Sequence, residues 1–516
     1  MSIDMRRTDI FAVVAAMLTL LSCYKDLSTE ATMSIPEIVV TGMPEKIDLV
    51  WGDEINLTVQ VSQEGRSESD FSYLWEIDFI PSSSKERIEL SDEPTVIYKV
   101  SNTPSDIPYI LSLKVTDNTT GVSKICISKV YVGTSMGEGV LVAHTRDNGK
   151  TTEFDIAKDK SITYGYEDDT KYTRGLYSLA NGQPLEGRVL SMVETACTNG
   201  AVFNTNKIFI GTEEHIITVD PLNFQRTGID EELFNNTSLD NYCTTAMFNY
   251  GGYSTCAVIN GVLYGMLCNI DSVLSKVAFT KSPQNIFEGG NYGYYALDQG
   301  CLLIFNSNDS RFYYLYGWML LSSAISELDA SFAFDATGAK ALGGGAIKGN
   351  YPCLLMQAAD GKCYVCGFDP SSSVVTPFTY PVQGTVPSNL VGVAFCDNAD
   401  LLYMATESKI YSVLITGGKA TVEALSWAPD SSDEKITAIR HYTQGWYGTH
   451  QYYYADYPFK LSTNRTQMLI VTYNEKTGEG KIYMRPFNVS TGRFTLKSNS
   501  TLKGFGEITA ITTTFK

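Results

Sequence analysis

Between Ile35 and Val132 the chain alternates short runs of apolar and polar residues, with turn residues between the runs. The clearest run places an apolar side chain at every second position, at Ile55, Leu57, Val59 and Val61. A period of two predicts strands with one buried and one solvated face. The same period recurs around Tyr73–Ile77 and Leu111–Val115, which predicts an immunoglobulin-like β-sandwich with Trp75 near its centre.

The last run of this segment changes parity. Ile125 and Ile127 fall on odd positions, whereas Val130 and Val132 fall on even ones. If all four side chains pack in the core, one strand must contain an extra residue. The pattern therefore predicts a β-bulge near Ser128 and Lys129.

From Met136 onward the sequence lacks a helix-length amphipathic pattern and consists of short strands separated by Gly, Asn and Asp. Strand pairs with a turn between them recur about every 50 residues, the period of a propeller blade. We therefore expect an all-β chain whose larger part is a β-propeller of six to eight blades, with seven the expected number. The predicted pairs span Val140 to Phe154, Ala201 to Val219, Ala257 to Leu267, Leu302 to Leu315, Cys353 to Phe368, Leu401 to Val413 and Met468 to Phe487.

The end of the chain bears on how such a propeller closes. Residues Glu507–Thr512 form a short strand after Gly504-Phe505-Gly506. We expect this strand to complete the blade that begins near Val140, which would remove the open edges of the first and last sheets. The alternative is a terminal strand that belongs to its own blade.

Composition limits the class of protein. The chain has 516 residues, 44% of them hydrophobic, and a mean hydropathy of -0.07, as in a soluble protein with an ample core. Its net charge of -18 argues against nucleic acid or an anionic lipid surface as a partner, because both need a basic footprint. We divide the chain into 1–22, a signal peptide; 23–34, a flexible tether; 35–133, the sandwich; and 134–516, the propeller.

The N-terminus has the features of an export signal. Arg6 and Arg7 precede the uncharged run Phe11–Leu21, which is too short to span a bilayer. The run ends in Leu20-Leu21-Ser22-Cys23, which resembles the lipobox of bacterial lipoproteins. The resemblance implies that the Cys23 thiol carries the lipid and that the membrane is reached through this anchor alone. The alternative is a buried cysteine after an ordinary secretory signal.

Lys25 and Asp26 follow close behind, and this pair is similar to the surface-export signal of Bacteroidetes lipoproteins. It implies an outer-membrane protein that faces the cell exterior.

The chain has eleven cysteines, but most lie in strand-like apolar runs, where cysteine behaves as a small buried hydrophobe. We expect the ten besides Cys23 to be largely free and buried. Cys363 and Cys366 form the one CxxC pair, and positions three apart in a strand face opposite sides. We therefore interpret this pair as structural, not as a metal site.

The sequence offers no recognisable catalytic motif, cofactor motif or metal site. The histidines lie far apart, and Gly343-Gly344-Gly345 lacks the spacing and hydroxyl of a phosphate loop. The segment Thr145–Thr151 resembles the Asp box of sialidase-type propellers, but it occurs once and is interpreted as a hairpin turn. We therefore predict that the protein is not an enzyme. A pair of glycosidase carboxylates from distant blades stays open as the alternative.

Aromatic residues are dense in two stretches. The first is Phe312–Trp318, where alternate rings must point to opposite sides of a strand, so that about half are expected in the core. The second lies in an apparent loop from Tyr442 to Phe459. Such platforms bind sugars or extended peptides by stacking, although a packed or docking loop is an equal alternative. The predicted ligand-binding residues are Trp446, Tyr447, Tyr452, Tyr453, Tyr454 and Trp318.

Tyr73-Leu74-Trp75-Glu76-Ile77, followed later by Leu113-Lys114-Val115-Thr116-Asp117, resembles a PKD domain without its usual Gly-Asp-Gly turn. With the lipobox and the β-rich remainder, the architecture resembles the PKD-like lipoproteins of Bacteroidetes. That resemblance implies a non-enzymatic accessory of a SusC/SusD-type uptake system, which binds a glycan or peptide or serves in assembly. The alternatives are a propeller enzyme, such as a polysaccharide hydrolase or lyase, and a pure docking component.

Overall fold

The computed structural model describes residues 35–80, 86–102, 104–134, 136–199, 202–234, 237–250, 254–267, 278–281, 292–297, 301–316, 326–328, 332–349, 351–370, 375–444, 461–495 and 500–514. Over these residues the chain is all-β, with strands β1–β38 and one short α-helix, α1 (Leu176–Asn181). No helix among them has the length and apolarity needed to cross a membrane.

The first nine strands belong to the N-terminal segment. A five-stranded sheet has the order β2-β9-β8-β5-β6, and two smaller sheets pair β1 with β4 and β3 with β7. All pairs are antiparallel except β2 with β9. The strands are β1 (Val39–Thr41), β2 (Lys46–Val50), β3 (Glu54–Thr58), β4 (Gln60–Ser62), β5 (Phe71–Asp78), β6 (Arg87–Ser91), β7 (Thr95–Lys99), β8 (Ser105–Asp117) and β9 (Ser123–Gly133).

Trp75 lies at the centre of this segment, as expected. It is fully buried, and its indole N–H donates a hydrogen bond to the Glu93 carbonyl at 3.0 Å. The alternating residues Leu111, Leu113 and Val115 of β8 are also fully buried, which confirms the predicted period. Burial of these side chains stabilises the segment by about 1.5–3 kcal/mol each.

The predicted bulge near Ser128 and Lys129 is wrong. The register of β9 against β8 is continuous from Ser123 to Val130, and its irregularity lies beyond Val130. Ile125 and Ile127 are 63% and 58% exposed, because Cys126 and Ser128 occupy the inward positions. Apolar character alone therefore indicated the wrong face for this strand.

The remaining strands form sheets that follow one another along the chain. Their bounds are β10 (Gly139–Thr145), β11 (Thr151–Lys158), β12 (Lys171–Thr173), β13 (Leu185–Glu186), β14 (Val189–Asn199), β15 (Val202–Thr212), β16 (Ile216–Val219), β17 (Arg226–Ile229), β18 (Thr244–Tyr250), β19 (Ser254–Ile259), β20 (Val262–Leu267), β21 (Thr280–Lys281), β22 (Tyr292–Leu297), β23 (Cys301–Asn306), β24 (Arg311–Tyr316) and β25 (Ser326–Glu327). They continue with β26 (Lys340–Ile347), β27 (Tyr351–Gln357), β28 (Cys363–Asp369), β29 (Thr376–Gln383), β30 (Leu390–Phe395), β31 (Leu401–Thr406), β32 (Ile410–Thr416), β33 (Lys419–Trp427), β34 (Glu434–His441), β35 (Gln467–Asn474), β36 (Glu479–Pro486), β37 (Thr501–Phe505) and β38 (Glu507–Thr514).

Their order repeats. Four consecutive strands, each hydrogen-bonded to the next, form each of six groups: β14 to β17, β18 to β21, β22 to β25, β26 to β29, β30 to β33 and β34 to β37. A further sheet has the order β38-β10-β11-β12, with β13 beside β11. A short parallel pairing of β29 with β33 joins two of these groups into one eight-stranded sheet. Strands β38, β14, β18, β22, β26, β30 and β34, here called the inner strands, contact one another in that order. The fold is thus all-β and of the propeller type.

Each strand pair predicted from the sequence is an antiparallel pair in the structure, and each supplies the two middle strands of one four-stranded group. The closing strand is also confirmed, since β38 pairs with β10 from Gly139–Thr514 to Thr145–Glu507. The first and last parts of the propeller-type region are therefore held by one ladder of hydrogen bonds.

The inner strands share a feature that the sequence analysis missed. Six of them carry a bulge near their beginning, where one extra residue opposes no partner. Three of the extra residues are threonines, and each hydroxyl donates to a carbonyl of the adjacent strand at 3.4–3.5 Å. The next residue is always small, either Ala, Gly or Ser. The extra residues, here called the bulge residues, are Leu190, Thr245, Leu342, Val391, Thr437 and Thr509.

The small residues let neighbouring inner strands approach closely. A Cβ atom at Gly343 would lie 2.7 Å from the Cβ of Val393 on the next inner strand, and one at Gly345 would overlap Phe395. The glycine run at 343–345 is therefore a packing feature of β26 and does not form a phosphate loop.

The N-terminal segment packs on the propeller-type region. Trp51 and Trp75 belong to the same buried cluster as Phe154 and Ile208. The Thr134 hydroxyl also donates to the Leu222 carbonyl at 2.8 Å. The two regions are thus connected by apolar packing as well as by the chain.

Candidate functional site

A cavity of about 700 Å³ opens where several inner strands begin. It lies between the β10–β11 turn and the starts of β30, β34 and β38, so its walls come from three of the repeated strand groups. We call it the mouth pocket. Its lining residues are Thr145, Arg146, Asn148, Val391, Glu407, Lys435, Ile436, Thr437, Tyr473, Glu475 and Glu507.

The β10–β11 turn forms one wall. Asn148 and Gly149 have φ values of 61° and 86°, the left-handed conformation that a tight hairpin needs. The Asp147 carboxylate accepts hydrogen bonds from the Thr151 N–H at 2.9 Å and from the hydroxyls of Thr151 and Thr145. These bonds lower the pKa of Asp147 to about 2. The prediction of a hairpin turn is confirmed, and its rigid network holds Asn148 at the pocket.

Three arginine side chains contact residues 503–507, the segment that leads into β38. Arg146 donates to the Gly504 carbonyl and Arg174 to the Lys503 carbonyl, both at 2.7 Å. Arg188 forms a two-point ion pair with Glu507. The wall that contains Glu507 is therefore fixed by contacts from the β10–β11 turn, from the residue after β12 and from the residue before β14.

A buried pair supports the same wall from behind. His144 Nε2 lies 3.0 Å from Asp155, and the Gly506 N–H donates to His144 Nδ1 at 3.3 Å. Burial alone would raise the pKa of Asp155, but hydrogen bonds and charge from His144 and Arg174 lower it overall. His144 is thus a structural residue that positions the closing strand.

Lys435 lies at the centre of the opposite wall. Its ammonium group is 3.7 Å from Glu407 and 3.4 Å from Glu475. In the register of β34 and β35 it is directly opposite Tyr473, so the two side chains share one face. The wall therefore combines a cation, two carboxylates and one aromatic ring.

Two bulge residues, Val391 and Thr437, line the pocket. A bulge re-aims the side chain of its extra residue and is often found beside binding sites. The Thr437 hydroxyl donates to the Val471 carbonyl at 3.5 Å, which leaves its oxygen able to accept a further hydrogen bond.

Some polar groups of the pocket are unused. Within the part of the chain that the structure describes, the Asn148 amide and the Tyr473 hydroxyl make no hydrogen bond. Among the same residues no group of three or more His, Cys, Asp or Glu side chains could hold a metal ion. The pocket can therefore offer hydrogen bonds and one ring to a ligand.

The predicted site residues fall outside the described residues. This applies to Cys23, Trp318, Trp446 and Tyr447, and to Tyr452, Tyr453 and Tyr454. Tyr442, at the start of the second aromatic stretch, is 1% exposed and its hydroxyl donates to the Ile162 carbonyl, so it is a core residue.

The first aromatic stretch is described up to Tyr316. Phe312 and Leu315 are buried, and the Phe312 ring lies 4.2 Å from that of Phe332. Tyr313 and Tyr314 are half-buried. The expectation that about half of this stretch is core is confirmed for the part that is described.

The cysteines are as predicted where they are described. Eight are free, six of them buried, and Cys126 and Cys243 are half-buried. Cys363 and Cys366 belong to different buried clusters on the two faces of β28. The CxxC pair is therefore structural.

The mouth pocket itself was missed, because its residues are up to about 360 positions apart in the sequence. One signal was available. Ile-Thr-Ala-Ile occurs at 436–439 and again at 508–511, and both copies contain a bulge residue of an inner strand.

No protein-family model and no curated protein matches the sequence. Among solved structures, the chain is similar to a quinonprotein alcohol dehydrogenase-like protein from Bacteroides thetaiotaomicron, with 14% identity, a TM-score of 0.48 and coverage of 93% of this chain and 99% of that one. A putative 6-phosphogluconolactonase from Bacteroides uniformis has 8% identity, a TM-score of 0.42 and coverage of 73% and 99%. The WD40 domain of SCAP from fission yeast has 9% identity, a TM-score of 0.34 and coverage of 62% and 74%. The propeller-type arrangement follows from the sheet order of this chain.

Proposed function

We propose that the protein is a surface-exposed outer-membrane lipoprotein that serves a SusC/SusD-type uptake system as a non-enzymatic accessory. It binds a glycan or peptide nutrient at the mouth pocket, or holds the transporter complex together. The proposed location is supported by the lipobox-like Leu20-Leu21-Ser22-Cys23. The proposed binding role is supported by the polar and aromatic residues that line the mouth pocket.

In this proposal the N-terminal segment is a PKD-like sandwich and the remainder is a seven-bladed propeller. Each blade contains one of the seven inner strands, and the blade that closes the ring consists of β38 and β10–β12. Support for the sandwich comes from the buried Trp75 of the five-stranded sheet, which shares one buried cluster with Ile55 of β3 and Val96 of β7.

The tether fits a protein that stands close to the membrane. Residues 23–34 separate the lipidated cysteine from Ile35, where the described chain begins. Twelve residues span at most about 40 Å when fully extended. Ile35 therefore lies within about 40 Å of the anchored cysteine.

Paired charges in the mouth pocket favour binding over catalysis. Each of the three glutamates lies within ion-pair distance of a cation, Glu407 and Glu475 of Lys435 and Glu507 of Arg188. A glycosidase needs one carboxyl group in an apolar setting that keeps it protonated as the acid. Among the described lining residues, the glutamates instead have polar, charged neighbours.

The test is to incubate the purified protein with nutrient polymers and to follow both retention and polymer length. Retention without shortening supports an accessory binding role. Shortening of the polymer would contradict it and would favour the hydrolase or lyase. Co-purification with a transporter without any polymer retention would reduce the role to assembly.

A further inference from the structure

We infer that the ligand of the mouth pocket is a neutral glycan, whose hydroxyl groups fit the alternating donors and acceptors of its walls. This inference rests on the proposed binding role and names the ligand class of the same site. The proposed function allows a glycan or a peptide as the ligand, and this inference chooses the glycan.

An anionic ligand fits the pocket poorly. Phosphate, sulfate or uronate binding needs cations whose charge is not already engaged. Here Lys435 is flanked by two glutamates, and Arg188 is bound by Glu507. Arg146 donates to the neutral Gly504 carbonyl and is the one cation of the lining without a carboxylate partner among the described residues. An anion would therefore meet only the charge of Arg146, beside three carboxylates that repel it.

A neutral polyol fits it well. The Asn148 amide offers both a donor and an acceptor, and the Tyr473 hydroxyl can take either role. The carboxylates of Glu407 and Glu475 retain acceptor positions besides those facing Lys435. Adjacent hydroxyls of a sugar ring need this mixture of donors and acceptors within one small surface.

The apolar lining is too small for a hydrophobic peptide side chain. It consists of Val391 and Ile436 together with the Tyr473 ring. A single half-buried ring suits the apolar face of one sugar, which stacks on an aromatic side chain. The volume of about 700 Å³ lies within the usual range for small-ligand sites.

The experiment is calorimetric titration of the purified full chain with two groups of probes. The neutral group contains short xylo-, manno-, gluco- and galacto-oligosaccharides. The second group contains oligogalacturonate and apolar peptides of similar length. Two variants remove single features of the pocket without changing its backbone. Tyr473→Phe removes the hydroxyl, and Asn148→Gly removes the amide while tolerating the positive φ.

Tyr364→Phe is the matched control, because Tyr364 packs on Phe334 in the sheet of β26–β29, outside the pocket lining. We expect at least one neutral oligosaccharide to bind at millimolar concentration or below. Tyr473→Phe and Asn148→Gly should each weaken that binding by about tenfold, and the control should leave it unchanged. A circular dichroism melt verifies that each variant is folded.

The inference is overturned if no neutral oligosaccharide binds, if only oligogalacturonate or peptide binds, or if the pocket variants bind as the control does. These outcomes are separable from failure of the proposed function. Membrane anchoring and association with a transporter are measured without any sugar, and both can hold while the glycan titration fails.

Discussion

Arg188 and Glu507 form a two-point ion pair that connects the closing strand to the next sheet. Arg188 immediately precedes β14, and Glu507 opens β38. Arg188 Nη1 lies 3.3 Å from Glu507 Oε2, and Nη2 contacts Oε1. The hydrogen bonds that the Arg188 guanidinium donates to Glu507 raise its pKa, and the Arg188 side chain is 29% exposed. The pair thus supports both the closure of the propeller-type region and one wall of the mouth pocket.

Arg188→Met should destabilise the protein, because it leaves a half-buried carboxylate without its partner. The expected loss is about 1–2 kcal/mol of unfolding free energy, measured by chemical denaturation. Arg311→Met is the matched control, since the Arg311–Glu327 pair is 57% and 46% exposed and its loss should cost about 0–1 kcal/mol. Equal losses in the two variants would show that the Arg188 pair has no special role in closure.

Asp117 gives the N-terminal segment an acid-sensitive contact. Its burial alone would raise the pKa, but hydrogen bonds from Thr120, the Thr119 N–H and Arg66 lower it to about 2. A carboxyl whose pKa is lower in the folded state stabilises the fold above its unfolded pKa of about 3.9, and this stabilisation disappears as the pH falls through the folded value. Asp117→Asn should therefore be less stable than wild type at pH 7, with the difference shrinking between about pH 4 and 2. A stability difference that is constant over this range would exclude the ionised carboxylate as its source.

The cysteine thiols within the described residues should react slowly with alkylating reagents in the native protein. Burial raises the pKa of Cys301, Cys353 and Cys366, which lowers the fraction of reactive thiolate. Alkylation with iodoacetamide, followed by mass spectrometry, should label the half-buried Cys126 first and the buried thiols only after unfolding. Two or more disulfides in the unreduced protein would contradict the assignment of free cysteines.

Trp446 stays a predicted ligand contact. If it belongs to an exposed platform, Trp446→Ala should weaken capture of a polymer by about 1–3 kcal/mol and leave the melting temperature unchanged. If it is packed, the variant should lose about 3–5 kcal/mol of stability instead. Trp427→Ala is a control for packing, because the Trp427 ring lies 5.1 Å from Tyr483 in a half-buried contact. A lowered melting temperature with unchanged capture would eliminate the platform.

The middle strands of each sheet were predictable because they are long apolar runs interrupted by turn residues. Cys353–Phe368, for example, contains two strands whose buried residues follow one another closely. The inner strands were harder to recognise. Around Gly343 and Gly392 the chain needs small residues so that neighbouring strands can approach, and small residues weaken the apolar signal.

The site was less predictable than the fold. Asn148 was correctly placed in a hairpin turn, yet nothing local shows that this turn faces Lys435 and Tyr473 across a cavity. Their proximity depends on β38 pairing with β10, a contact between the two ends of the propeller-type region. The exposed Ile125 has a related explanation, because which face of a strand is buried depends on neighbouring strands and not on its own sequence.

We propose that Cys23 anchors an accessory of a SusC/SusD-type transporter. The most direct measurement is affinity purification of the tagged full-length protein from detergent-solubilised outer membranes, without added ligand, followed by mass spectrometry. We predict that SusC- and SusD-type proteins co-purify with the wild type. Cys23→Ala, which lacks the acyl chains, should be found in soluble fractions without them. A wild-type protein that is lipid-anchored and folded but is purified without any such partner would contradict this proposal.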